Sequence, residues 1–236
     1  MNITSTLPNY ELHVPDHFRH FLIVGAASGI LGVGLIIARV EIQWLAYILL
    51  AVALLVALAA FALQQIITLR GRLHTRNLMI QARQWRGDEQ VLDVGCGNGI
   101  MTMAVAHQLK SGKVTGIDIW DSTAGRQTAE IFWRNAQAEG VRDRVEVRET
   151  DARQMPFADS SFDVVVSSLA LHHMGGVAES VKTIQEMTRV LKPGGTILLY
   201  DLFPFSNAAT TIFQQRGFKV EHLKGLAIRT LKAEKG

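Results

Sequence analysis

The stretch VLDVGCGNG, residues 91–99, decides the fold of this chain, because a short apolar segment runs directly into three alternate glycines. An apolar run bounded by glycines is typical of a buried strand. Glycines after a strand let the backbone turn sharply and approach a ligand, and the amide hydrogens at the start of the next helix then face that ligand. The stretch therefore predicts a strand, a ligand-binding turn and a helix, in this order.

Downstream of this turn, predicted strands and helices alternate to the end of the chain. Strands are predicted at 91–94, 113–118, 144–148, 162–167, 196–200, 218–223 and 227–233. Helices are predicted at 100–109, 125–139, 177–191 and 207–216. Repeated β-α-β units predict an α/β fold with a doubly wound, mostly parallel sheet of seven strands. Because only Gly225 and its neighbours separate the last two strands, we expect them to form an antiparallel hairpin at the edge of the sheet.

The first third of the chain is far more apolar than the rest. Residues 21–38 and 44–63 carry no charge, and each is about long enough to cross a hydrocarbon layer of ~30 Å as a helix. Only residues 39–43 separate them, which predicts a two-helix transmembrane hairpin with both ends on the same side. A cleaved signal peptide fits poorly, because a second apolar run follows at once.

Charge predicts the orientation of this hairpin. Five arginines and no acidic residue lie between residues 64 and 86, and such a basic flank is retained in the cytoplasm. We therefore divide the chain into a cytoplasmic segment 1–20, a transmembrane hairpin 21–63, an arginine-rich amphipathic linker helix 64–86 and a soluble domain 87–236. The first span is rich in glycine, so its small face could pack on the second span or form a homo-oligomer.

Composition limits the class of function. The chain has 236 residues, enough for one ordinary domain and a small addition. Its 24 Lys and Arg against 21 Asp and Glu leave a formal net charge of +3, too little to indicate nucleic acid. The single cysteine, Cys96, excludes an intramolecular disulfide and a multi-cysteine metal site.

The spacing of the glycines and one acidic residue indicate a nucleoside-containing ligand. A dinucleotide fingerprint would have glycine or alanine at position 100, where this chain has Ile100. Asp118 ends the second predicted strand about twenty residues after the glycines, where an acidic side chain accepts hydrogen bonds from ribose hydroxyls.

Four motifs in a fixed order extend this pattern: VLDVGCGNG, VTGIDIW, ETDARQMPFADSSFDVVVSSLALHH and LKPGG. With them the sequence resembles the class I S-adenosylmethionine-dependent methyltransferases, and within that family the branch that acts on quinones and small molecules. The resemblance runs from about Val91 to the end of the chain. It implies a Rossmann-like fold with S-adenosylmethionine as the cofactor, S-adenosylhomocysteine as the product and no metal.

The resemblance also implies a role for each matching residue. The cofactor-binding residues are then Asp93, Gly95, Cys96, Gly97, Gly99, Asp118, Ile119, Trp120, Asp151, Ala152 and Ser167. The glycines and Ser167 would lie near the methionine part, and Asp93 would steer its ammonium group. Asp118 would hold the ribose, while Ile119 and Trp120 would border the adenine. Asp151 and Ala152 would meet the adenine edge, and Cys96 is expected to be a small packing residue within the turn.

Two histidines follow the fourth predicted strand. His172 or His173 could deprotonate the methyl acceptor, since an imidazole titrates near neutral pH. The alternative is that both are polar loop residues that pack near the cofactor.

Together these features predict a membrane-anchored methyltransferase with a cytoplasmic catalytic domain and a small, lipophilic acceptor. Phe203 and Phe205 could line an active-site mouth that faces the bilayer. Alternatively, the hairpin only tethers an enzyme with a soluble substrate, or the chain is an inactive S-adenosylmethionine-binding sensor or scaffold. A nicotinamide-dependent reductase is disfavoured by Ile100. Nucleic acid is not expected as a partner, because the soluble domain lacks a basic stripe.

Overall fold

The computed structural model describes residues 17–37, 43–120, 129–223 and 229–236. The chain divides into two compact units, and within the described residues the first ends at Arg72 and the second runs from Leu73 to Gly236. The second unit therefore begins before the predicted boundary at residue 87. The physical reason is that Met79 is completely buried in the core of this unit.

The second unit is built on a seven-stranded sheet. Its strands are β1 (Gln90–Val94), β2 (Lys113–Asp118), β3 (Val145–Glu149), β4 (Phe162–Ser168), β5 (Leu191–Asp201), β6 (Lys219–Leu223) and β7 (Arg229–Glu234). Their order across the sheet is β3-β2-β1-β4-β5-β7-β6. Strands β1 to β5 pair in parallel, while β7 runs antiparallel to both of its neighbours. This confirms the predicted mostly parallel, doubly wound sheet.

The described helices are α1 (His17–Ile37), α2 (Gln43–Gln81), α3 (Ile100–Ala106), α4 (Ala129–Ala138), α5 (Val177–Val190) and α6 (Phe203–Gln215). Short 3-10 turns cover Arg142–Arg144 and Leu171–His173. Helix α6 begins before the predicted residue 207, because Pro204 fits the first turn of a helix, where its missing N–H is not needed. The start of the helix predicted at 125–139 and the turn around Gly225 lie outside the described residues.

The LKPGG motif, residues 191–195, forms a bulge inside β5. Phe162 pairs with Leu191, but Val164 already pairs with Thr196, so the residues between Leu191 and Thr196 lack partners on β4. Gly194 adopts φ +72° there, a conformation that glycine allows.

The sheet has a hydrophobic core on each face. Phe213, Ile184 and Met187 from α5 and α6 are fully buried on one face. On the other face Phe132, Met103 and Met79 from α4, α3 and α2 are fully buried. The strands that end beneath the loops are therefore packed against helices on both faces of the sheet.

In the first unit, α1 packs against α2 through its small residues. A Cβ added at Gly29 or Gly32 would lie 3.9 Å from the side chain of Leu50, at ordinary van der Waals distance. Ala46, on the facing helix, is buried. Helix α2 joins the predicted span 44–63 and the predicted linker in one continuous helix that ends at Gln81.

Among the described residues, one helix is long and apolar enough to cross a membrane. It covers Trp44–Gln81, has a mean hydropathy of 2.8 in its apolar window and has 6% of that window buried. The apolar part of α1, Ile23–Gly34, is shorter. The second predicted span thus meets the criterion for a membrane helix, while the two-span hairpin stays a prediction, and most of its connection lies outside the described residues.

Candidate cofactor-binding and active site

The glycine turn follows β1 at the carboxyl edge of the sheet, beside β4, where the strand order reverses. Gly95 and Gly99 adopt φ values of +72° and +86°, which L side chains rarely adopt. A Cβ on Gly95 would lie 2.2 Å from the Cβ of Ala170, and one on Gly99 would lie 2.5 Å from the Cε of Met103. Glycine is therefore required at Gly95 by conformation and by space, and at Gly99 chiefly by conformation, because the end of the Met103 side chain can move aside.

The amide hydrogens of this turn are used inside the protein. Those of Gly95 and Cys96 bond to the carbonyl of Ile117 at 2.9 and 3.1 Å, and that of Gly97 bonds to Oδ2 of Asp118 at 2.8 Å. These three amides are therefore satisfied within the protein, because the end of β2 lies close enough to accept them. The expectation that the amide hydrogens at the start of the next helix, α3, face the ligand stays a prediction.

Asp118 and Trp120 connect the end of β2 to the glycine turn. The second carboxylate oxygen of Asp118 accepts the backbone N–H of Trp120 at 3.0 Å. The Trp120 indole N–H donates to the carbonyl of Gly97 at 3.3 Å, and its backbone has φ +38°. An ionised carboxylate can accept about four hydrogen bonds, so Asp118 retains acceptor capacity for hydroxyl groups. Ile119 is half exposed beside them.

Asp93 is buried beneath the turn. Its carboxylate accepts a hydrogen bond from the hydroxyl of Thr102 on α3, and among the described residues it forms no ion pair. The pKa of Asp93 is raised to about 7, chiefly by burial; the hydrogen bonds from Thr102 oppose this shift and the nearby Asp118 carboxylate adds to it. A buried carboxylate in this state favours a cationic ligand, because a nearby positive charge stabilises its ionised form.

The ends of β3 and β4 carry the remaining predicted cofactor residues. Asp151 accepts the backbone N–H of Arg153 at 2.8 Å and two guanidinium bonds at 2.7 and 2.9 Å, and these hydrogen bonds lower its pKa. Ala152 is buried next to it. The Ser167 hydroxyl donates to the carbonyl of Val94 at 3.0 Å, so it ties the ends of β4 and β1 together. Cys96 is buried, and its Sγ lies so close to Gly116 that a Cβ added there would be only 2.9 Å away, as expected for a packing residue.

The two histidines differ in their surroundings. Nδ1 of His172 lies 2.9 Å from Oδ1 of Asp201, which is completely buried. Asp201 also accepts the backbone N–H groups of Leu171 and Leu202 at 2.8 and 2.7 Å. His173 is exposed, and its ring centroid lies 4.0 Å from that of His172. His172 is therefore oriented by a buried carboxylate.

Asp201 is the functional candidate that the sequence analysis missed. It stands at the end of β5, as Asp118 stands at the end of β2, so an acidic residue closing a parallel strand was the available signal. The partner 29 residues earlier in the chain, His172, becomes visible only when β4 and β5 pair.

The glycine turn and the His172–Asp201 pair adjoin each other. Ala170 lies against Gly95, and the next residue, Leu171, donates to Asp201. The structure thus brings Asp93, Asp118 and His172 to one edge of the sheet, where a ligand can contact the turn on one side and an imidazole on the other.

Comparisons with known proteins agree with this geometry. Residues 92–199 match the methyltransferase domain family. Over 118 residues the chain is 37% identical to the 27-O-demethylrifamycin SV methyltransferase of Amycolatopsis mediterranei, covering 49% of this chain and 39% of that protein. Over 124 residues it is 34% identical to the demethylmenaquinone methyltransferase of Symbiobacterium thermophilum, covering 52% of this chain and 46% of that protein. The chain therefore spans less than half the length of each of these relatives.

Solved structures share the fold. The YcgJ protein of Bacillus subtilis aligns with a TM-score of 0.55 at 24% identity, over 64% of this chain and 70% of that one. An S-adenosylmethionine-dependent methyltransferase of Aquifex aeolicus aligns with a TM-score of 0.55 at 19% identity, over 69% of this chain and 89% of that one. The sheet and its flanking helices therefore have the Rossmann-like methyltransferase fold, and residues 92–199 match a methyltransferase domain.

Proposed function

We propose that this chain is a membrane-anchored methyltransferase that moves the methyl group of S-adenosylmethionine to a small, lipophilic acceptor by in-line displacement. The observation that carries the proposal is the meeting of the glycine turn, Asp118 and the His172–Asp201 pair at one edge of the sheet. The match of residues 92–199 to the methyltransferase domain family supports it.

The residues at this edge suit a cationic nucleoside. When bound, S-adenosylmethionine supplies a methyl group on a positively charged sulfur, which is already electrophilic. Asp93 would balance positive charge, and Asp118 would accept hydrogen bonds from the ribose hydroxyls. Asp151, with Ala152, Ile119 and Trp120, would surround the adenine. Ile100, at a position where a dinucleotide fingerprint has glycine or alanine, favours this ligand over a nicotinamide dinucleotide.

His172 would act as a general base toward the acceptor. A carboxylate that accepts Nδ1–H holds the imidazole in the tautomer whose other nitrogen, Nε2, can take a proton. Asp201 is well suited to this because three hydrogen bonds hold its carboxylate. The proton would move from the acceptor's nucleophilic group to Nε2 as the methyl group is transferred.

Apolar side chains near this pair support a lipophilic acceptor. The Phe205 ring centroid lies 6.3 Å from that of His172. Leu202 and Phe203, directly after Asp201, are 39% and 58% exposed. The relative from Symbiobacterium thermophilum is named for demethylmenaquinone, a lipophilic compound. The apolar surface of α2 supports an anchor in the bilayer.

The proposal is tested by measuring S-adenosylhomocysteine formation by the full chain in lipid nanodiscs. Acceptors would be a long-chain hydroquinone and its short-chain, water-soluble analogue. We expect turnover of the long-chain acceptor only, and a decrease in kcat of about 100-fold or more in His172→Gln with unchanged calorimetric affinity for S-adenosylmethionine. His173→Gln is the matched control and should keep most of its activity.

Each alternative has its own result. Binding of S-adenosylmethionine without product for a wide panel of acceptors would indicate the sensor or scaffold. Equal turnover of both hydroquinones would refute the lipophilic acceptor, and equal loss in His172→Gln and His173→Gln would refute the general base.

A further inference from the structure

A cavity with a volume of about 370 Å³ lies at the edge of the sheet opposite the glycine turn. Ser160, just before β4, and Lys235, just after β7, both line it. The start of β4 and the end of the antiparallel β7 share this edge. Arg216, at the end of α6, completes its basic wall.

Two cations in this cavity meet at the end of α5. Nη1 of Arg216 donates to the hydroxyl of Thr188. Nζ of Lys235 donates to the carbonyl oxygens of Thr188 and Leu191 at 3.0 and 2.6 Å. Within the part of the chain that the structure describes, neither cation forms an ion pair with a carboxylate. Both positive charges therefore lie close together at the carboxyl end of α5, whose carbonyl oxygens partly offset them.

The acidic side chain that also lines the cavity is already engaged. Oδ1 of Asp159 bonds to Nη1 of Arg189 at 2.7 Å, and Arg189 has a second carboxylate partner in Glu186, also at 2.7 Å. Burial, followed by the proximity of Arg216, lowers the pKa of Lys235. Asp159 opposes this lowering of the Lys235 pKa, but the three cations that line the cavity, Arg189, Arg216 and Lys235, outnumber this one carboxylate.

We propose that this cavity binds the phosphate group of a phosphomonoester. An arginine guanidinium has five N–H donors in a planar fork, and Arg216 uses one of them on Thr188, so others can face an oxyanion. The Ser160 hydroxyl lines the same space and can donate as well. Phe218, which is 6% exposed, supplies an apolar part of the lining.

The volume also bears on the ligand. It exceeds what a phosphate ion alone would fill and falls in the range of small-molecule sites. The same phosphate chemistry occurs in soluble phosphomonoesters and in the headgroup of phosphatidic acid. The site lies far from the glycine turn, so its ligand would be distinct from the methyl donor and acceptor.

The test is isothermal calorimetry on the full chain in a non-ionic detergent and chloride buffer. The probes are glycerol 3-phosphate, for the soluble source, and dihexanoyl phosphatidic acid, for the lipid source. We expect Arg216→Gln to weaken binding of the preferred probe about tenfold or more, and Arg216→Lys to weaken it less. The matched control is Arg134→Gln, which removes an exposed arginine from α4 and should bind as the parent does.

A second variant protects the test against misfolding of the first. Asp159 is 77% exposed, and Asp159→Asn removes negative charge from the rim, so binding should become about two- to threefold tighter. Tighter binding of phosphatidic acid than of glycerol 3-phosphate indicates a lipid, and the reverse indicates a soluble ligand. Absence of binding of either probe, or equal affinity of the parent, Arg216→Gln and Asp159→Asn, would overturn the proposal.

Discussion

Single residues at the carboxyl edge of the sheet hold their charges in two different ways. The carboxylate of Asp201 accepts three N–H groups, one of them from an imidazole. The carboxylate of Asp93 accepts hydrogen bonds from Thr102 and lies near a second carboxylate, that of Asp118. Asp201 is therefore suited to orient a base, whereas Asp93 carries an unbalanced charge that a cationic ligand would stabilise.

The buried carboxyl group of Asp93 should lower the stability of the ligand-free protein at high pH, although its negative charge favours binding of a cationic ligand. Its pKa is raised from about 3.9 in an unfolded chain to about 7, so its contribution to stability is present below pH ~4 and is lost as the pH rises through 7. We expect Asp93→Asn, which mimics the protonated form, to raise the free energy of unfolding at pH 8 by about 1–3 kcal/mol but not at pH 4.

The measurement is urea unfolding of the ligand-free full chain in detergent between pH 4 and 8, with calorimetric titration of S-adenosylmethionine at pH 8. Asp93→Asn should weaken cofactor binding while it stabilises the fold. Asp88→Asn, a substitution of an exposed aspartate, is the control. A stability gain that does not vary with pH would contradict the assignment of the buried charge.

Gly95 allows the effect of space to be separated from that of backbone conformation. Gly95 and Gly194 share φ +72°, but only at Gly95 would a Cβ collide, at 2.2 Å from the Cβ of Ala170. We expect Gly194→Ala to cost about 1–2 kcal/mol of stability, and Gly95→Ala to cost several kcal/mol and to abolish S-adenosylmethionine binding. Equal losses in the two variants, measured by urea unfolding, would show that the contact with Ala170 is unimportant.

At the scale of elements, a buried carboxylate fastens the end of α2 to the start of β1. Glu89 is fully buried and accepts the backbone N–H groups of Arg86 and Gly87, both at 2.8 Å. It also accepts the guanidinium of Arg83 at 3.1 Å. Trp85 adds a hydrogen bond to the carbonyl of Ile80 at 2.9 Å. The segment between helix and strand is therefore a rigid part of the second unit.

This fastening predicts a large difference between two neighbouring carboxylates. Glu89→Ala leaves a largely buried Arg83 without its partner and should lower the free energy of unfolding by about 3–5 kcal/mol. Asp88→Ala removes an exposed ion pair with Arg86 and should cost at most about 1 kcal/mol. Both values come from urea unfolding of the full chain, and similar costs would mean that Glu89 contributes no more than a surface group.

At the scale of the whole molecule, the apolar surface of α2 determines where the protein can reside. Leu54 and Leu55 are 60% and 65% exposed, and 6% of the apolar window of this helix is buried. A continuous apolar surface of this kind is covered in a lipid bilayer or by another protein. The proposed membrane anchoring therefore rests on a surface property of the chain and can be tested separately from catalysis.

Depth in the bilayer gives a matched test of the anchor. Leu55 lies in the middle of the apolar run and Ile67 near its arginine-rich end, and both are more than half exposed. Leu55→Arg should cost roughly 2.5–3.5 kcal/mol of insertion and release protein from carbonate-washed membranes, while Ile67→Arg should cost much less. Equal retention of the two variants would contradict a membrane-spanning α2.

Local patterns in the amino-acid sequence determined the architecture of the second unit. Apolar runs and the glycines that follow them predicted all seven strands. Both signals lie in residues that are adjacent in the chain: a short apolar run indicates a strand, and a glycine allows the positive φ of a turn. The same local signals identified Asp118, His172 and the glycine turn as parts of one edge, because parallel strands bring their carboxyl ends together.

Tertiary structure alone decided which partner each group has. It paired Asp201 with His172, used the turn's amide hydrogens on Ile117 and Asp118, and buried Asp93. It also placed β7 between β5 and β6, and it gathered Arg216 and Lys235 around the end of α5. These contacts join residues far apart in the chain, so their distances and burial depend on how the elements pack and on no local sequence pattern.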